Sequence, residues 1–271
     1  MWRPSPCRHD VLRRETDLRA PPLHTAPLTT LHLFRVPPRG VPRALARMAL
    51  DRRRLRSTPG LAFWKLLGTG DGRTFDLRDA DLRTWGLLAV WAADAAADRF
   101  ERCSPVAAGW AGLAQERWRV TLRPVSAHGS WSGRQPFGSL APAGAPGPVA
   151  AITRARLRLR RAPGFWRAVP PVTADLARHP GLLLSVGIGE APVGLQGTFS
   201  LWSDSAALRR FAYRGEAHRS VIRRTTTEGW YAEELFARFA VLGSSGTIFG
   251  GDPLAGVAQA PPSSGWGQPT P

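Results

Sequence analysis

The chain has 271 residues, is 43% apolar, and carries a formal charge of +17 with a pI near 11.6. That length holds one large domain or two of ordinary size, and the apolar share is enough for a core. No window approaches the ~20 consecutive apolar residues of a membrane span, no apolar stretch follows the N-terminal arginines as a signal peptide requires, and the two cysteines build no disulfide framework, so a reducing cytosol is the default expectation. The positive charge is almost all arginine, Lys65 being the sole lysine, and it is spread along the chain with denser runs at Arg52–Arg54 and Arg154–Arg161. A nucleic-acid interface would cluster its basic residues on one face with interleaved aromatics, so nucleic acid is not the expected partner.

Residues 1–28 mix Pro, Arg, Asp and Thr without periodicity and read as a disordered arm. Residues 31–36 form a short apolar run of strand type. A helix follows from Val41, with Pro42 near its first position and Leu45, Met48 and Ala49 expected on its inner face. Thr58-Pro59-Gly60 ends it. Residues 61–67 and 85–91 read as strands around a charged loop, 92–111 as a helix with Asp94 in its first turn, and 118–125 as a fourth strand. A Pro/Gly/Ala linker covers 136–148. The order then repeats: strand 149–159, helix 164–178, strands 182–186 and 197–202, helix 205–224, and strand 235–242. Residues 253–271 read as a disordered tail.

The expectation is an α+β chain of two ferredoxin-like β-α-β-β-α-β repeats, at 29–135 and 149–252, with their sheets apposed and their helices outside. Thr58-Pro59-Gly60-Leu61 answers to His179-Pro180-Gly181-Leu182. Gly86, Trp91 and Phe100 have the mutual spacing of Gly197, Trp202 and Phe211.

A duplicated chain is its own control, and the second helices of the two halves differ at one slot. Ala107, Trp110 and Ala111 of the first correspond to His218, Val221 and Ile222 of the second. His218 thus stands on an apolar helix face, as a core histidine bonded to a carbonyl, as a general acid or base, or as an axial ligand to iron. Arg219, Arg223 and Arg224 follow it, placed to meet acidic groups of a ligand or to face solvent. No histidine pair has zinc-site spacing. Lys65, in Phe63-Trp64-Lys65-Leu66, is the second residue singled out, since a site indifferent to the kind of cation would carry arginine in this chain.

Four stretches resemble one family. They are 58–66 (TPGLAFWKL), 131–137 (WSGRQPF), 187–192 (GIGEAP) and 233–243 (EELFARFAVLG), in order along 29–254. They are similar to spheroidene monooxygenase, the acyclic carotenoid 2-ketolase family, of the dimeric α/β-barrel superfamily. The resemblance implies a haem-iron monooxygenase that uses O2 and electrons from a ferredoxin-type donor. Its substrate would be a long acyclic carotenoid oxidised at C2, reached by a cytoplasmic protein through peripheral contact with the inner face of the membrane. In that setting His218 would ligate the iron, with Arg223 and Lys65 as further cofactor-binding residues. The competing readings are another monooxygenase of the same fold acting on a different lipophilic metabolite, and a non-catalytic haem- or lipophile-binding protein.

Overall fold

The computed structural model describes residues 26–71, 79–142, 146–161, 164, 175–190, 195–214 and 229–257. Eight antiparallel strands close into one barrel: β1 (Leu28–Arg35), β2 (Leu61–Gly70), β3 (Ala80–Trp91), β4 (Glu116–Gly129), β5 (Val149–Leu157), β6 (Leu182–Gly189), β7 (Leu195–Trp202) and β8 (Tyr231–Gly246). Around the barrel the order is β1-β3-β2-β6-β7-β5-β8-β4. Each half therefore contributes four adjacent strands, and the halves meet along two seams. The β4–β8 seam is long. The β2–β6 seam joins only residues 68–70 to 187–189.

The pairing register repeats between the halves. Leu28 lies opposite Trp91 as Val149 lies opposite Trp202, and Leu33 pairs with Gly86 as Arg154 pairs with Gly197. Even an irregularity recurs: the β2–β3 ladder slips between Leu61 and Phe63, and the β6–β7 ladder between Leu182 and Leu184.

Strand alternation splits the apolar residues into two sets. One side chain set points into the barrel, with Leu31, Leu33, Leu88, Trp118, Ile152, Phe199 and Phe239 among its buried members. An eight-stranded barrel has an interior that side chains just fill. The other set faces outward. In the first half it is covered by α1 (Val41–Arg56), α2 (Asp94–Cys103) and α3 (Pro105–Ala111), Phe100 of α2 and Trp110 of α3 packing with Phe34, Trp85, Leu87 and Trp91. In the second half α4 (Ser205–Arg214) packs Ala207, Leu208 and Phe211 against Val149 and Trp202.

Two expectations change. The helix read over 92–111 is broken at Ser104, whose hydroxyl accepts the Val106 N–H at 3.1 Å and caps α3, with Pro105 opening the new helix. α1 also presents a different face from the one expected. Leu45 and Ala49 are exposed, Met48 alone of the expected three packs inward, and it does so beside Ala44, Asp51 and Leu55. Asp51 is inside because Arg47 and Arg54 donate to its two oxygens at 2.9 and 3.0 Å.

Both barrel ends are plugged by matching turns. After β4, Trp131 bridges to Arg134, and after β8, Ile248 bridges to Gly251. Ser132 and Phe249 take left-handed φ values of 55° and 54°, each followed by a left-handed glycine, Gly133 or Gly250. Trp131 and Phe137 enter the core at one end, Ile248 and Leu254 at the other. A glutamate holds each turn. Glu116 accepts the N–H groups of Phe249 and Gly250, and Glu233 accepts the Gly133 N–H and the Ser130 hydroxyl. The turns are exchanged: the one that follows the first half is held by the second, and the reverse.

His32 is buried on the outer face of β1. Its Nε2 lies 3.2 Å from the Thr30 hydroxyl, which also accepts the Trp91 indole N–H, and 3.4 Å from Glu101. Burial and the nearby Arg119 charge lower it from 6.5 to about 3. Between those pH values the unfolded chain takes up a proton that the folded chain refuses, so stability falls as pH drops through the window. Melting temperature followed from pH 7 to pH 4 should fall less steeply in His32→Leu than in the parent.

Candidate functional site

Arg154 continues the inward alternation of Ala150 and Ile152 on β5 and is 2% exposed, a buried cation at one end of the barrel interior. Two carboxylates meet it. Its Nη2 donates to Glu190 Oε1 at 2.9 Å, and its Nη1 donates to Glu233 Oε2. Glu190 follows β6, and it also accepts the Trp131 indole N–H at 2.6 Å and pairs with the Lys65 ammonium. Lys65 in turn donates to the Ser132 hydroxyl at 2.6 Å. The Trp131 ring lies beneath both cations, with the Arg154 guanidinium 5.6 Å and the Lys65 ammonium 5.9 Å from its centroid. Arg156 reaches Glu233 from the rim at 3.9 Å.

This ionic layer binds the plug to three strands and to the end of β6. Lys65 on β2 and Glu190 beside β6 also tie the halves across the short seam. Burial raises the Glu233 carboxyl, but the Gly133 N–H, Arg154 and the Ser130 hydroxyl outweigh it and bring the group to about 2. Glu233 is therefore an anion throughout the neutral range, suited to holding the plug and unsuited to acting as a general acid or base. At the positions of Arg154 and Lys65 the other half has Leu33 and Val186, so the layer exists at one end alone.

The second difference between the halves lies on the outer faces of their sheets. Strand registers equate Phe34 with Ala155, Trp64 with Ser185, Leu66 with Gly187, Trp85 with Gln196, and Leu87 with Thr198. The first face is crowded: Phe34 stacks on Trp110 with centroids 5.3 Å apart, and Trp85 lies 6.5 Å from the same indole. Each of these large side chains has a small or polar counterpart in the second half, and Val221 is the residue whose spacing matches Trp110. Thr153, the counterpart of buried His32, is exposed. The floor of the second sheet thus lacks the bulk that fills the first.

Of the residues singled out from sequence, Lys65 is in the ionic layer, on the interior side of the wall. His218 and Arg223 lie outside the described residues. The described histidines point elsewhere. His32 belongs to the first half. His179 has Nδ1 2.7 Å from the Pro180 carbonyl and packs its ring on Trp202 and Phe211, and His128 is exposed beside the plug. Among the described residues no three His, Cys, Asp or Glu side chains are grouped to hold a metal ion. A cavity of about 120 Å³ lies between the plug and β4, lined by His128, Gln135, Phe137, Leu140 and Leu235 among others. It is below the roughly 300–1,000 Å³ of ordinary ligand pockets.

Known proteins share both sequence and fold with this chain. Spheroidene monooxygenase of Rhodobacter capsulatus is 37% identical over 232 residues, spanning 84% of this chain and 96% of the relative. The chain belongs to the spheroidene monooxygenase family. The member from Cereibacter sphaeroides is 35% identical over 220 residues, covering 81% of this chain and 68% of its own. Membership makes the protein an enzyme, a monooxygenase. Among solved structures, an aldoxime dehydratase aligns over 81% of this chain and 82% of its own at a TM-score of 0.56 and 12% identity, a likeness of fold. No protein-family model matches the chain.

The four stretches that resemble the spheroidene monooxygenase family converge on the ionic layer: Lys65 comes from the first, Trp131 and Ser132 from the second, Glu190 from the third and Glu233 from the fourth. Arg154, at their centre, had no motif to mark it. The usable signal was the alternation Ala150, Ile152, Arg154, which places an arginine on an apolar face. Removing Arg154 takes the close cation from Glu233 and leaves Glu190 with Lys65 alone at the barrel end, so Arg154→Leu should destabilise the protein by roughly 3–5 kcal/mol in urea unfolding. Lys65→Met leaves Glu190 with Arg154 and Trp131 and should cost about 1 kcal/mol. Equal losses in the two variants would contradict this hierarchy.

Proposed function

We propose that the protein is a haem-dependent monooxygenase that oxidises a long acyclic carotenoid, introducing a keto group at C2, with O2 as co-substrate and a ferredoxin-type protein as electron donor. Family membership supports the substrate class. The observation that carries the proposal in the structure is the contrast between the two outer faces, since the second sheet has the floor for a large flat group where the first has stacked aromatics. The remaining readings, another lipophilic substrate or a non-catalytic lipophile carrier on this fold, are separated by the experiment below.

The residues present fit a haem as a seat. Ala155, Ser185, Gly187 and Thr198 are small where the first half has Phe34, Trp64, Leu66 and Leu87, and no described histidine competes as ligand. His218, in the segment that follows α4 in sequence, would ligate the iron, and Arg223 would pair with a propionate. Haem supplies the oxidant for an unactivated C–H bond, which no side chain can provide. The chain's own contribution is to orient the substrate and exclude water from the seat. Lys65, walled off on the interior side, serves this reading by holding the plug and the seam beside β6, which carries Ser185 and Gly187.

The barrel interior does not take the substrate. Its core is filled by side chains, and plugs close both ends, so a C40 chain is directed to the outer face. Each half is, in this reading, a ferredoxin-like unit, and the chain is a dimeric α/β barrel drawn into one polypeptide.

Haem titration of the purified protein should give a Soret band that is lost or shifted in His218→Ala. Ala155→Phe with Gln196→Trp, which restores first-half bulk to the second face, should block haem uptake while the circular dichroism spectrum is unchanged. Reduced enzyme supplied with ferredoxin, O2 and spheroidene or lycopene should yield a 2-keto product. A Soret band with no product would leave a haem carrier and sink the ketolase reading.

A further inference from the structure

Helix α1 shows solvent a face that a helix in water would bury. Pro42, Leu45, Ala46, Ala49 and Leu50 recur at intervals of three and four residues and are all exposed, Leu45 by 50% and Leu50 by 67%. Residues at that spacing share one side of a helix. Arginines frame the stripe: Arg43 and Arg52 lie to its sides, and Arg53 and Arg56 continue it toward the C-terminus, all exposed. The helix has a single acid, Asp51, and that acid is buried and neutralised by Arg47 and Arg54. The outer face is therefore apolar and cationic without a compensating negative charge.

We propose that this face of α1 docks the protein onto an anionic membrane surface, with the helix lying in the interfacial plane. The inference rests on the reading of a membrane-dissolved substrate only for its purpose; its evidence is the helix itself. Such helices set an apolar stripe into the headgroup–acyl boundary while cationic side chains reach up to the phosphates. Charge complementarity selects the occupant. An acidic lipid surface satisfies Arg43, Arg52, Arg53 and Arg56 together and buries Leu45 and Leu50 in the same contact. A second copy of this chain would bring like charge against like. At 16 residues the helix is about 24 Å long, enough to lie flat as a single anchor.

The test is co-sedimentation of the full chain with vesicles of phosphatidylcholine alone or with 30% phosphatidylglycerol at about 0.1 M salt. Binding is expected to the anionic vesicles and to be weak to the neutral ones. Leu45→Ser with Leu50→Ser should weaken it roughly ten-fold with an unchanged melting temperature, because both side chains already face water. Arg53→Gln with Arg56→Gln should weaken it roughly 30-fold at low salt, since each arginine near an anionic surface contributes about a factor of five. Wild-type binding in both double variants, or equal binding to both vesicle types, overturns the proposal. So does a serine double variant that converts a dimer into a monomer in light scattering, which would make the face a contact between copies. Turnover of detergent-dispersed carotenoid needs no docking and reports on the proposed reaction alone. Vesicle binding without turnover removes the function and leaves the anchor, while turnover without vesicle binding does the reverse.

Discussion

Closure of the barrel is the constraint on which the other features depend. Each half is a four-stranded sheet with two open edges, and an open edge in water invites pairing with any other strand. Joining the halves along both seams removes the edges, but the contribution of the seams is unequal. The β4–β8 ladder is long, running from Trp118 to Gly129 with two bulges, whereas β2 meets β6 over 68–70 and 187–189 only. Side chains take over where the backbone stops. The Lys65–Glu190 pair and the indole of Trp131 bind the short seam and the plug together. A buried ionic layer is an expensive way to fill a barrel end, and its other end manages with Leu33, Trp118 and Ile248. What the layer adds is a fixed geometry across a junction with few ladder hydrogen bonds.

With the interior filled and plugged, it is on the outer faces that the halves diverge. The first has Phe34, Trp64, Trp85 and Trp110 between sheet and helices, and it behaves as scaffold. The second replaces the sheet members of that set with alanine, serine and glutamine on the same backbone register. Repetition preserves a frame while one copy keeps the packing and the other is released from it. The buried neutral histidine follows the same division: His32 fills the first face, and its counterpart in the second is the smaller, exposed Thr153.

Much of this arrangement was legible in the sequence, for identifiable reasons. Strand order and repeat were readable because Gly86, Trp91 and Phe100 recur at one spacing, and paired registers keep such residues in step. Lys65 was visible as the sole lysine. Arg154 was not, because a run of arginines reads as a solvated face until the period-two alternation is followed to its end. The break before Pro105 was hidden within a continuous helical pattern, and Phe137 and Leu254 sit at the borders of segments whose Pro/Gly content reads as linker and tail. The orientation of α1 reversed the simplest rule of apolar patterning. The inner face carries Ala44, Leu55 and a neutralised aspartate with Val41 and Met48 beside them, while Leu45 and Leu50 face outward.

The exchanged plugs have a further consequence. The turn that closes the first half's chain is gripped by Glu190, Glu233 and Arg154 of the second, and the turn that closes the second is gripped by Glu116 and Trp118 of the first. Each stopper is gripped chiefly from the other half, Lys65 adding a bond to Ser132 from the first. The segment joining the halves therefore acts as a tether that keeps two mutually dependent pieces at high effective concentration. Severed there, the pieces would still carry complementary clasps and would have reason to find each other again.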